Sequence, residues 1–315
     1  MTGLRPERLN LAIARRCFVT CRGCYQFFGR SEPELDAFEA SVAVFVRLGV
    51  TAVTISGGDP LTLPGLTTFL TRLRTVGVTD IKVDTVGTSM LERGHVGSSV
   101  TIRRQKLQNL LGAVDFLGLP LDGWSNESLG LFRVGRPELY RETVALLDAI
   151  DTCSTPSPVV VNTVVHRHNV IGLGRMLEEV SRHRSVTHWN LFQYTPTDQV
   201  AGDTNRDFSL EETVFADASA KLLAVADRLP VARRRFGIGV HTVRSRLGQY
   251  LLINSDGECW LPDARGRSVR LGAVRGSEEA VMKAWAEAVR HVRAEPASGA
   301  LPQSSAHVPR IAEVA

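Results

Sequence analysis

The sequence predicts an α/β fold, a partial (β/α)6 barrel followed by a C-terminal β-hairpin and helix. Short apolar runs rich in β-branched residues alternate with longer amphipathic stretches, which is typical of β/α units around a parallel sheet. Beyond residue 230 this alternation stops, and two short apolar runs flank an Asp-Gly turn, which predicts a hairpin. We therefore divide the chain into a barrel (1–230), a C-terminal extension (231–294) and a mobile tail (295–315).

Six barrel strands are predicted where β-branched and apolar residues cluster in runs of strand length between turn-forming residues. They are Leu9–Ala14, Thr51–Ser56, Asp80–Thr85, Val114–Pro120, Val159–Val165 and His188–Tyr194. The stretches between and after them repeat apolar residues at helical spacing. The predicted helices are Glu34–Leu48, Leu66–Val76, Thr101–Leu111, Pro137–Ile150, Gly172–His183 and Leu210–Arg228. The hairpin is predicted within 248–271 and a last helix at Glu278–Arg293, whereas 295–315 lacks any periodicity.

The composition is ordinary for a soluble globular protein, with 43% hydrophobic and 22% charged residues among 315, and a cytoplasmic location is expected from the two features that follow. No apolar run approaches the ~20 residues that a membrane span requires, and the N-terminus lacks the apolar segment of a secretion signal. The net charge of +4 comes without a long lysine and arginine block, so neither a membrane nor a nucleic-acid partner is expected. The five cysteines are unevenly spaced, unlike a disulfide framework, which favours a reducing compartment.

Three of the five cysteines, Cys17, Cys21 and Cys24, lie in one short loop directly after the first predicted strand, and we call them the cysteine triad. Loops at the carboxyl ends of barrel strands carry chemistry because they converge on one mouth. Thiolates in one loop can converge on a metal centre, and iron–sulfur clusters are held by such thiolates. A structural zinc site would need a fourth ligand, and no further cysteine or histidine lies nearby. Three ligands around a [4Fe–4S] cluster instead leave one iron open for a small molecule.

The spacing Cys-x3-Cys-x2-Cys resembles the signature of the radical S-adenosylmethionine (SAM) superfamily. Within it, the chain is similar to the molybdenum-cofactor-synthase and viperin-like members and lacks auxiliary-cluster cysteines. The resemblance implies that the cysteine triad ligates one [4Fe–4S] cluster, that SAM binds the open iron, and that a 5′-deoxyadenosyl radical abstracts hydrogen from a C–H bond. In the family an aromatic residue usually precedes the third cysteine. Gly23 stands there in this chain, and Tyr25 or Phe27 is expected to supply the packing instead.

The end of the second strand carries a second match, Ser56-Gly57-Gly58-Asp59-Pro60, which resembles the family's Gly-Gly-Glu-Pro segment. The resemblance implies that these residues bind SAM. The two glycines would let the backbone approach the methionine moiety, and the carboxylate of Asp59 would accept a hydrogen bond from its ammonium group. Asp59 is one methylene shorter than the family's glutamate, which shortens its reach.

Polar residues at the ends of later strands are further candidates for cofactor or substrate contact. Thr85 and Thr88 stand where the family has Thr-Asn-Gly, and their hydroxyls either face SAM or form only local turn hydrogen bonds. Asp122 lies in a segment similar to the family's Ser-Leu-Asp-Gly, and it either contacts substrate at the mouth or caps the next turn. Asn162 and Arg133 are expected to bind SAM by the same resemblance, and the alternative for Arg133 is an ordinary surface arginine.

Cys259 and Cys153 lie outside the cysteine triad. Cys259 stands in a segment similar to the start of the auxiliary-cluster domains of relatives, but the downstream cysteines are missing, which argues against a second cluster. A thiol near the open side of the barrel can donate a hydrogen atom to a substrate radical, as in the similar neomycin C epimerase. The alternative is a half-buried strand cysteine that packs as a small apolar residue. Cys153 is predicted to lie at the opposite end of the barrel, without a role in the chemistry.

The resemblance implies an enzyme that acts on a small polar natural product, such as an aminoglycoside, aminosugar or nucleoside in antibiotic biosynthesis. Epimerisation is the leading expectation, with Cys259 as hydrogen-atom donor and Asp122 as a second catalytic residue. Radical decarboxylation or dehydration of a sugar or nucleoside intermediate is the nearest alternative, and ribosomal-peptide maturation is the alternative of another class. The expected partners are the small-molecule substrate and an external electron donor such as flavodoxin or ferredoxin.

Overall fold

Strands and helices alternate along most of the chain, and ten strands form one continuous sheet. The structure, a computed structural model, describes residues 5–24, 35–92, 100–153, 157–274 and 278–294. Its strands are β1 (Arg8–Ala14), β2 (Thr20–Cys21), β3 (Ala52–Gly57), β4 (Asp80–Asp84), β5 (Phe116–Pro120), β6 (Arg133–Val134), β7 (Val159–Val165), β8 (Val186–Gln193), β9 (Gly237–His241), β10 (Tyr250–Ile253), β11 (Glu258–Pro262) and β12 (Ser268–Ala273). Its α-helices are α1 (Leu35–Arg47), α2 (Leu66–Thr75), α3 (Arg104–Leu111), α4 (Asn126–Gly130), α5 (Leu139–Asp151), α6 (Leu173–Val180), α7 (Gly202–Phe208), α8 (Glu212–Ala226) and α9 (Glu278–Ala294).

The large sheet has the strand order β12-β11-β10-β1-β3-β4-β5-β7-β8-β9. From β10 to β9 each neighbouring pair is parallel, whereas β10–β11 and β11–β12 are antiparallel. The carboxyl ends of the parallel strands therefore lie at one edge, where the loops that follow them meet. The predicted α/β fold built on a mostly parallel sheet is confirmed.

The six predicted barrel strands are all present, with bounds shifted by a few residues. The sequence does not predict β9, because glycines at 237 and 239 give it a low local preference for strand, and pairing with β8 forms it. The predicted hairpin is β10 and β11, but β10 also pairs in parallel with β1. The segment predicted as an extension, 231–294, therefore contributes strands to both edges of the barrel sheet.

The two faces of the sheet differ in chemistry because successive side chains of a strand point to opposite faces. In β1, Leu9, Leu11 and Ile13 belong to the main hydrophobic core with residues of the surrounding helices. The alternate residues of β1 and of the other strands form the inner face, which carries polar side chains such as Asn162 of β7. Helices thus cover the outer face, whereas polar side chains of the inner face remain partly exposed.

A second, two-stranded sheet holds the cysteine loop. Short strands β2 and β6 pair antiparallel, with Cys21 opposite Arg133 and Thr20 opposite Val134. Next to them the backbone N–H of Arg22 donates to the carbonyl of Phe132 at 2.9 Å. This pairing fixes the loop after β1 against the segment that follows β5.

Two sequence predictions concern residues that the structure does not describe. The tail 295–315 and the aromatic residues Tyr25 and Phe27 lie outside the described residues. Among the helices that are described, none has the length and apolar character needed to cross a membrane.

Candidate active site

The cysteine triad lies in the loop after β1 and is free of disulfides. Cys17 is exposed, and Cys21 and Cys24 are half-buried. Cys21 and Cys24 are joined by a turn, in which the N–H of Cys24 donates to the carbonyl of Cys21 at 3.2 Å. Burial raises the pKa of Cys21 to about 12, although the nearby Arg133 opposes the shift, so this thiol stays protonated until a metal displaces the proton.

The donor set of this loop fits an iron–sulfur cluster. Within the described residues, no group of three or more His, Cys, Asp or Glu side chains is already arranged to hold a metal ion. The fit therefore rests on chemistry, because three thiols on one short loop, none of them in a disulfide, are the soft ligands that iron–sulfur clusters take. Cys17, Cys21 and Cys24 are the residues that would hold the cluster.

Arg133 lies directly beside the cysteine triad. Its Nη1 donates to Sγ of Cys21 at 3.1 Å, and its Nε donates to Oδ2 of Asp122. Burial alone would lower the pKa of Arg133, but the negative charge of Asp122 raises it, so the guanidinium remains charged. The β2–β6 pairing and Asp122 together place a cation at the loop that would hold the cluster.

Asp122 is fully buried and is used within the protein. Besides its ion pair with Arg133, its Oδ1 accepts a hydrogen bond from the N–H of Val164 at 2.6 Å. The side chain of Asn169 donates to the Asp122 carbonyl at 3.0 Å, which holds the strand end in place. This placement does not favour the predicted contact between Asp122 and a substrate. The carboxylate has no exposed surface, and it faces Arg133 and β7. Asp122 is a positioning residue for Arg133.

Gly57 and Gly58 lie against the start of the cysteine loop. The N–H of Gly58 donates to the carbonyl of Ala14 at 2.7 Å, and the N–H of Asp59 donates to that of Arg16 at 2.6 Å. A Cβ on Gly57, which has φ of 111°, would lie 2.5 Å from the Ala14 carbonyl oxygen. A Cβ on Gly58 would overlap the carbonyl of Arg16. The glycines are therefore required for the close packing of this segment against the loop that carries Cys17.

Asp59 joins the ends of β3 and β4. Its carboxylate accepts from the hydroxyl of Thr85 at 2.8 Å and from the N–H groups of Leu61 at 2.9 Å and Val86 at 3.0 Å. Burial raises the pKa of Asp59, while these hydrogen bonds oppose the shift. The sequence predicts that the carboxylate of Asp59 accepts a hydrogen bond from the ammonium group of SAM. In the structure this carboxylate instead accepts hydrogen bonds from Thr85, Leu61 and Val86. Pro60 follows it as the first residue of a 3-10 turn, with Asp59 as the N-cap.

The remaining residues predicted for SAM are spread over three strand ends. Ser56 is buried and donates to the Leu11 carbonyl at 3.3 Å, and Thr85 is bound to Asp59. Thr88 is buried, and its hydroxyl has no partner among the described residues, so it is free to bind a ligand. Asn162 lies on the inner face, where its Nδ2 donates to Oδ1 of Asp84 at 3.1 Å.

Tyr194 fills the space that the family's aromatic residue would need. A Cβ on Gly23 would overlap the Tyr194 ring, so this ring packs directly on the glycine that precedes Cys24. Tyr194 is buried, and its hydroxyl donates to Oδ1 of Asn205 at 2.8 Å. The sequence places Tyr194 among the candidates for the barrel mouth, but it does not predict this packing, because Tyr194 lies far from the triad in the chain; the missing side chain at position 23 is the available signal.

Cys259 lies on the outer face of the sheet, away from the cysteine triad. It pairs with Ile253 across β10 and β11, and Ile253 pairs with Leu11 of β1. Directly paired residues share a face, and all three belong to the main hydrophobic core with Trp285 of α9. Its exposed fraction is 0%, and burial raises its pKa. The expectation that Cys259 lies near the open side of the barrel is therefore not met, because the register of β11 turns it toward the helices.

Cys153 also lies in the main core. It follows the C-terminus of α5, where its thiol donates to the carbonyl of Ala149 at 3.4 Å. This placement agrees with the prediction that it lies away from the mouth of the barrel.

Sequence comparison finds one family and several partial relatives. Residues 11–180 match the Radical SAM superfamily. GTP 3′,8-cyclase 2 of Pseudomonas aeruginosa is 32% identical over 108 residues, which cover 32% of this chain and 33% of that protein. GTP 3′,8-cyclase of Xanthomonas axonopodis pv. citri is 29% identical over 124 residues, which cover 36% of each chain. The match thus spans about a third of the length of these curated relatives.

Solved structures show the same fold at low sequence identity. SuiB of Streptococcus suis bound to its precursor peptide SuiA has a TM-score of 0.67 at 12% identity, covering 93% of this chain and 67% of that one. The anSMEcpe structure with bound AdoMet and the Cp18Cys peptide has a TM-score of 0.60 at 13% identity, covering 87% of this chain and 80% of that one. SuiB has also been solved with S-adenosylmethionine bound.

The superfamily match covers more than half of the chain and includes the cysteine triad, the Gly57-Gly58-Asp59 segment and Arg133. These are the residues that the structure gathers at the carboxyl edge of the sheet. The chain therefore belongs to the radical SAM superfamily, and its cofactors are a [4Fe–4S] cluster and S-adenosylmethionine.

Proposed function

We propose that this protein removes a hydrogen atom from a small polar natural product, such as an aminoglycoside, aminosugar or nucleoside of an antibiotic pathway. The observation that supports this proposal most is the position of Cys21 and Arg133. They lie side by side at the carboxyl edge of the sheet, next to an inner face that carries polar, partly exposed side chains. A substrate on that face would lie beside the cofactors.

The residues around the triad have separable tasks. When bound, the cluster and SAM supply the radical that takes the hydrogen atom. The guanidinium of Arg133 offsets negative charge near Cys21, and we propose that it also binds the SAM carboxylate. Gly57 and Gly58 keep the β3 turn tight against the cysteine loop. Thr88 is the proposed side-chain contact to SAM, whereas Asn162, which the sequence also assigns to SAM, is hydrogen-bonded to Asp84 on the inner face.

The proposed reaction is a dehydration of a sugar-like substrate, with decarboxylation as its alternative. Epimerisation with Cys259 as donor is the leading expectation from sequence, but this thiol lies on the outer face with no exposed surface. A dehydration needs no thiol. After the hydrogen atom is taken from one carbon of a vicinal diol, water leaves, and the resulting carbonyl radical accepts one electron from the external donor and one proton from solvent, so each carbonyl product is accompanied by one 5′-deoxyadenosine.

The proposal also includes an electron donor, and a peptide and GTP are the alternative substrates. The electron that starts the reaction would come from an external flavodoxin or ferredoxin. Ribosomal-peptide maturation is the alternative of another class, but the likeness to SuiB lies at 12% identity and bears on the fold alone. Because two partial relatives are named GTP 3′,8-cyclase, GTP also belongs among the compounds to test.

The test is anaerobic reconstitution with iron and sulfide, followed by SAM and a reductant, with 5′-deoxyadenosine as the readout. We expect 5′-deoxyadenosine from the wild-type protein, and more of it when a diol-containing aminosugar or aminocyclitol glycoside is added. Cys24→Ala should lose iron and abolish 5′-deoxyadenosine, whereas the matched control Cys153→Ala should keep both. Wild-type protein that binds iron and SAM but yields no 5′-deoxyadenosine would contradict the proposal, as would stimulation by GTP or a peptide alone.

Cys259→Ala decides between dehydration and epimerisation. Because the thiol is buried in the outer core, we expect Cys259→Ala to lower the melting temperature while product per 5′-deoxyadenosine stays unchanged. The measurement is the ratio of product to 5′-deoxyadenosine in D2O, with deuterium in the product determined by mass spectrometry. Loss of product and of solvent deuterium with SAM cleavage intact would restore Cys259 as the hydrogen-atom donor.

A further inference from the structure

We propose that five side chains on the inner face of the sheet, joined by hydrogen bonds and one ion pair, form the substrate site: Lys82, Asp84, Asn162, Asn190 and His241. We call them the polar row, and we infer that they recognise a ring that carries hydroxyl and amino groups. The inference deepens the proposed function and rests on it for the reaction. The binding site itself stands on the geometry of the row.

The polar row is one directional chain of hydrogen bonds across the sheet. His241 of β9 donates from Nε2 to Oδ1 of Asn190 at 3.3 Å, and Asn190 of β8 donates from Nδ2 to Oδ1 of Asn162 at 3.2 Å. Asn162 of β7 donates from Nδ2 to Oδ1 of Asp84 at 3.1 Å, and Lys82 pairs with the same oxygen at 3.0 Å. Each partner fixes the orientation of the next, so the polar atoms are preorganised.

Two glycines leave room for the polar row to run across the sheet. A Cβ on Gly118 of β5 would overlap Oδ1 of Asp84. A Cβ on Gly239 of β9 would lie 2.6 Å from Oδ1 of Asn190 and 2.7 Å from Nε2 of His241. A side chain at either position would break the chain of hydrogen bonds. The absence of side chains at Gly118 and Gly239 thus belongs to the site.

The polar row has hydrogen-bonding capacity that the protein does not use. The side chain of Asp84 is 33% exposed and that of Lys82 is 15% exposed, although both lie in a central strand. Within the described part of the chain, the second oxygen of Asp84 has no hydrogen-bond partner. Each asparagine uses one of its two amide hydrogens within the row. On the outer face, the neighbouring residues Ile81 and Val83 are fully buried.

His241 forms the far end of the polar row and is held by its surroundings. Its ring stacks on Phe192 at 4.9 Å, and the guanidinium of Arg246 lies 5.5 Å from the Phe192 ring centre. Burial lowers the pKa of His241, and the charges of Arg246 and Lys82 lower it further. The imidazole is therefore neutral near pH 7, with Nε2–H donating to Asn190 and Nδ1 left as an acceptor.

The chemistry of the polar row selects the class of ligand. Donors and acceptors alternate along it, and a hydroxyl group matches either because it both donates and accepts. The open oxygen of Asp84 also suits an ammonium group. Lys82 is paired with Asp84, so the row offers little net positive charge for a triphosphate. An apolar ligand would leave these groups unpaired, which is costly.

The test measures binding of named probes to the cluster-loaded, SAM-bound protein by isothermal titration calorimetry. The probes are glucosamine, 2-deoxystreptamine and paromamine, with cyclohexanol and GTP as comparisons. We expect at least one of the three amino-bearing rings to bind, and Asp84→Asn to weaken it about tenfold, the loss of roughly one charge-assisted hydrogen bond. Gly118→Ala should weaken the same probe because it displaces Asp84, and circular dichroism shows whether this variant folds.

Asp80→Asn is the matched control. Asp80 lies on the same strand and face, pairs with Arg8 and is 35% exposed, but it is outside the polar row. It should bind the probe like the wild type. Absence of binding by all three rings, tighter binding of GTP or cyclohexanol, or equal losses in Asp84→Asn and Asp80→Asn would overturn the site. If Asp84→Asn also lost affinity for SAM, the substrate site would be overturned, because the polar row would then bind SAM rather than the substrate. The 5′-deoxyadenosine that forms from SAM in the absence of any probe is measured in a separate experiment. It tests the radical chemistry of the proposed function and does not depend on ligand binding by the polar row.

Discussion

Asp59 and Asp122 lie at strand ends where barrel enzymes often present carboxylates to a ligand, yet both are fully buried and used internally. Burying a carboxylate is costly unless hydrogen bonds or an opposite charge satisfy it. Asp59 is satisfied by Thr85 and by two backbone N–H groups, and Asp122 by Arg133 and Val164. Their effect on the chemistry is indirect, since Asp59 fixes the turn beside the cysteine loop and Asp122 orients the guanidinium next to Cys21.

Arg133→Met should shift the reduction potential of the reconstituted cluster to a more negative value. Reduction adds negative charge, and the Arg133 cation that donates to Cys21 stabilises it. We expect a shift on the order of 59 mV, a tenfold change in a one-electron equilibrium. The measurement is a redox titration followed by electron paramagnetic resonance, without SAM or substrate.

Arg136→Met is the control for this variant, because Arg136 lies three residues away and pairs with Glu142 rather than with the cysteine loop. Its cluster should keep the wild-type potential. Identical potentials for Arg133→Met and the wild type at equal iron content would show that the hydrogen bond to Cys21 does not act on the cluster.

Local sequence patterns predict a strand or a turn well when the residues of that segment alone determine its conformation. The six barrel strands and the hairpin are predicted because β-branched runs and an Asp-Gly turn act locally. Strand β9 is not predicted, because Gly237 and Gly239 remove that local signal. The triad is predicted from spacing, whereas the orientation of Cys259 depends on the register of β11 against β10, which no local pattern encodes.

Helices α5 and α6 end beside each other and are joined by a charged cluster around His183. The imidazole contacts Oε1 of Glu179 and Oδ2 of Asp151, each at 3.2 Å. The N–H of Ser185 also donates to Asp151 at 2.7 Å, which draws the chain after α6 onto the end of α5. A protonated His183 at this position also interacts favourably with the negative C-terminal ends of both helix dipoles.

His183→Gln should destabilise the protein at low pH more than at high pH. Burial lowers the pKa of His183, but Glu179 and Asp151 outweigh it and raise the pKa above the ordinary value. A raised folded-state pKa stabilises the fold below the unfolded-state pKa of about 6.5, and this stabilisation is lost as pH rises through the folded-state value. The melting temperature of His183→Gln should lie a few degrees below wild type at pH 5.5 and approach it at pH 9. A constant difference across this range would argue against a charged His183.

Over the whole molecule, the C-terminal strands complete the sheet that carries the cysteine loop. Strand β1 lies between β3 and β10, so the strand that leads into the triad is paired on both sides only when the C-terminal hairpin is present. Helix α9 covers the outer face there and buries Val281, Trp285 and Val289 in the main core. The cluster site therefore depends on residues far from it in sequence.

Removal of residues 237–315 should abolish cooperative folding, whereas removal of 295–315 alone should not. The longer deletion takes away β9 to β12 and α9, including fully buried Leu251, Ile253, Leu261 and Trp285. Burial of each such side chain contributes roughly 1.5–3 kcal/mol, and the net stability of a typical protein is only about 5–15 kcal/mol. The measurements are thermal unfolding by circular dichroism and iron content after reconstitution. We expect no cooperative transition and little bound iron for residues 1–236, and wild-type values for residues 1–294. A cooperative transition with full iron loading in 1–236 would instead support the boundary at residue 230 that the sequence predicts.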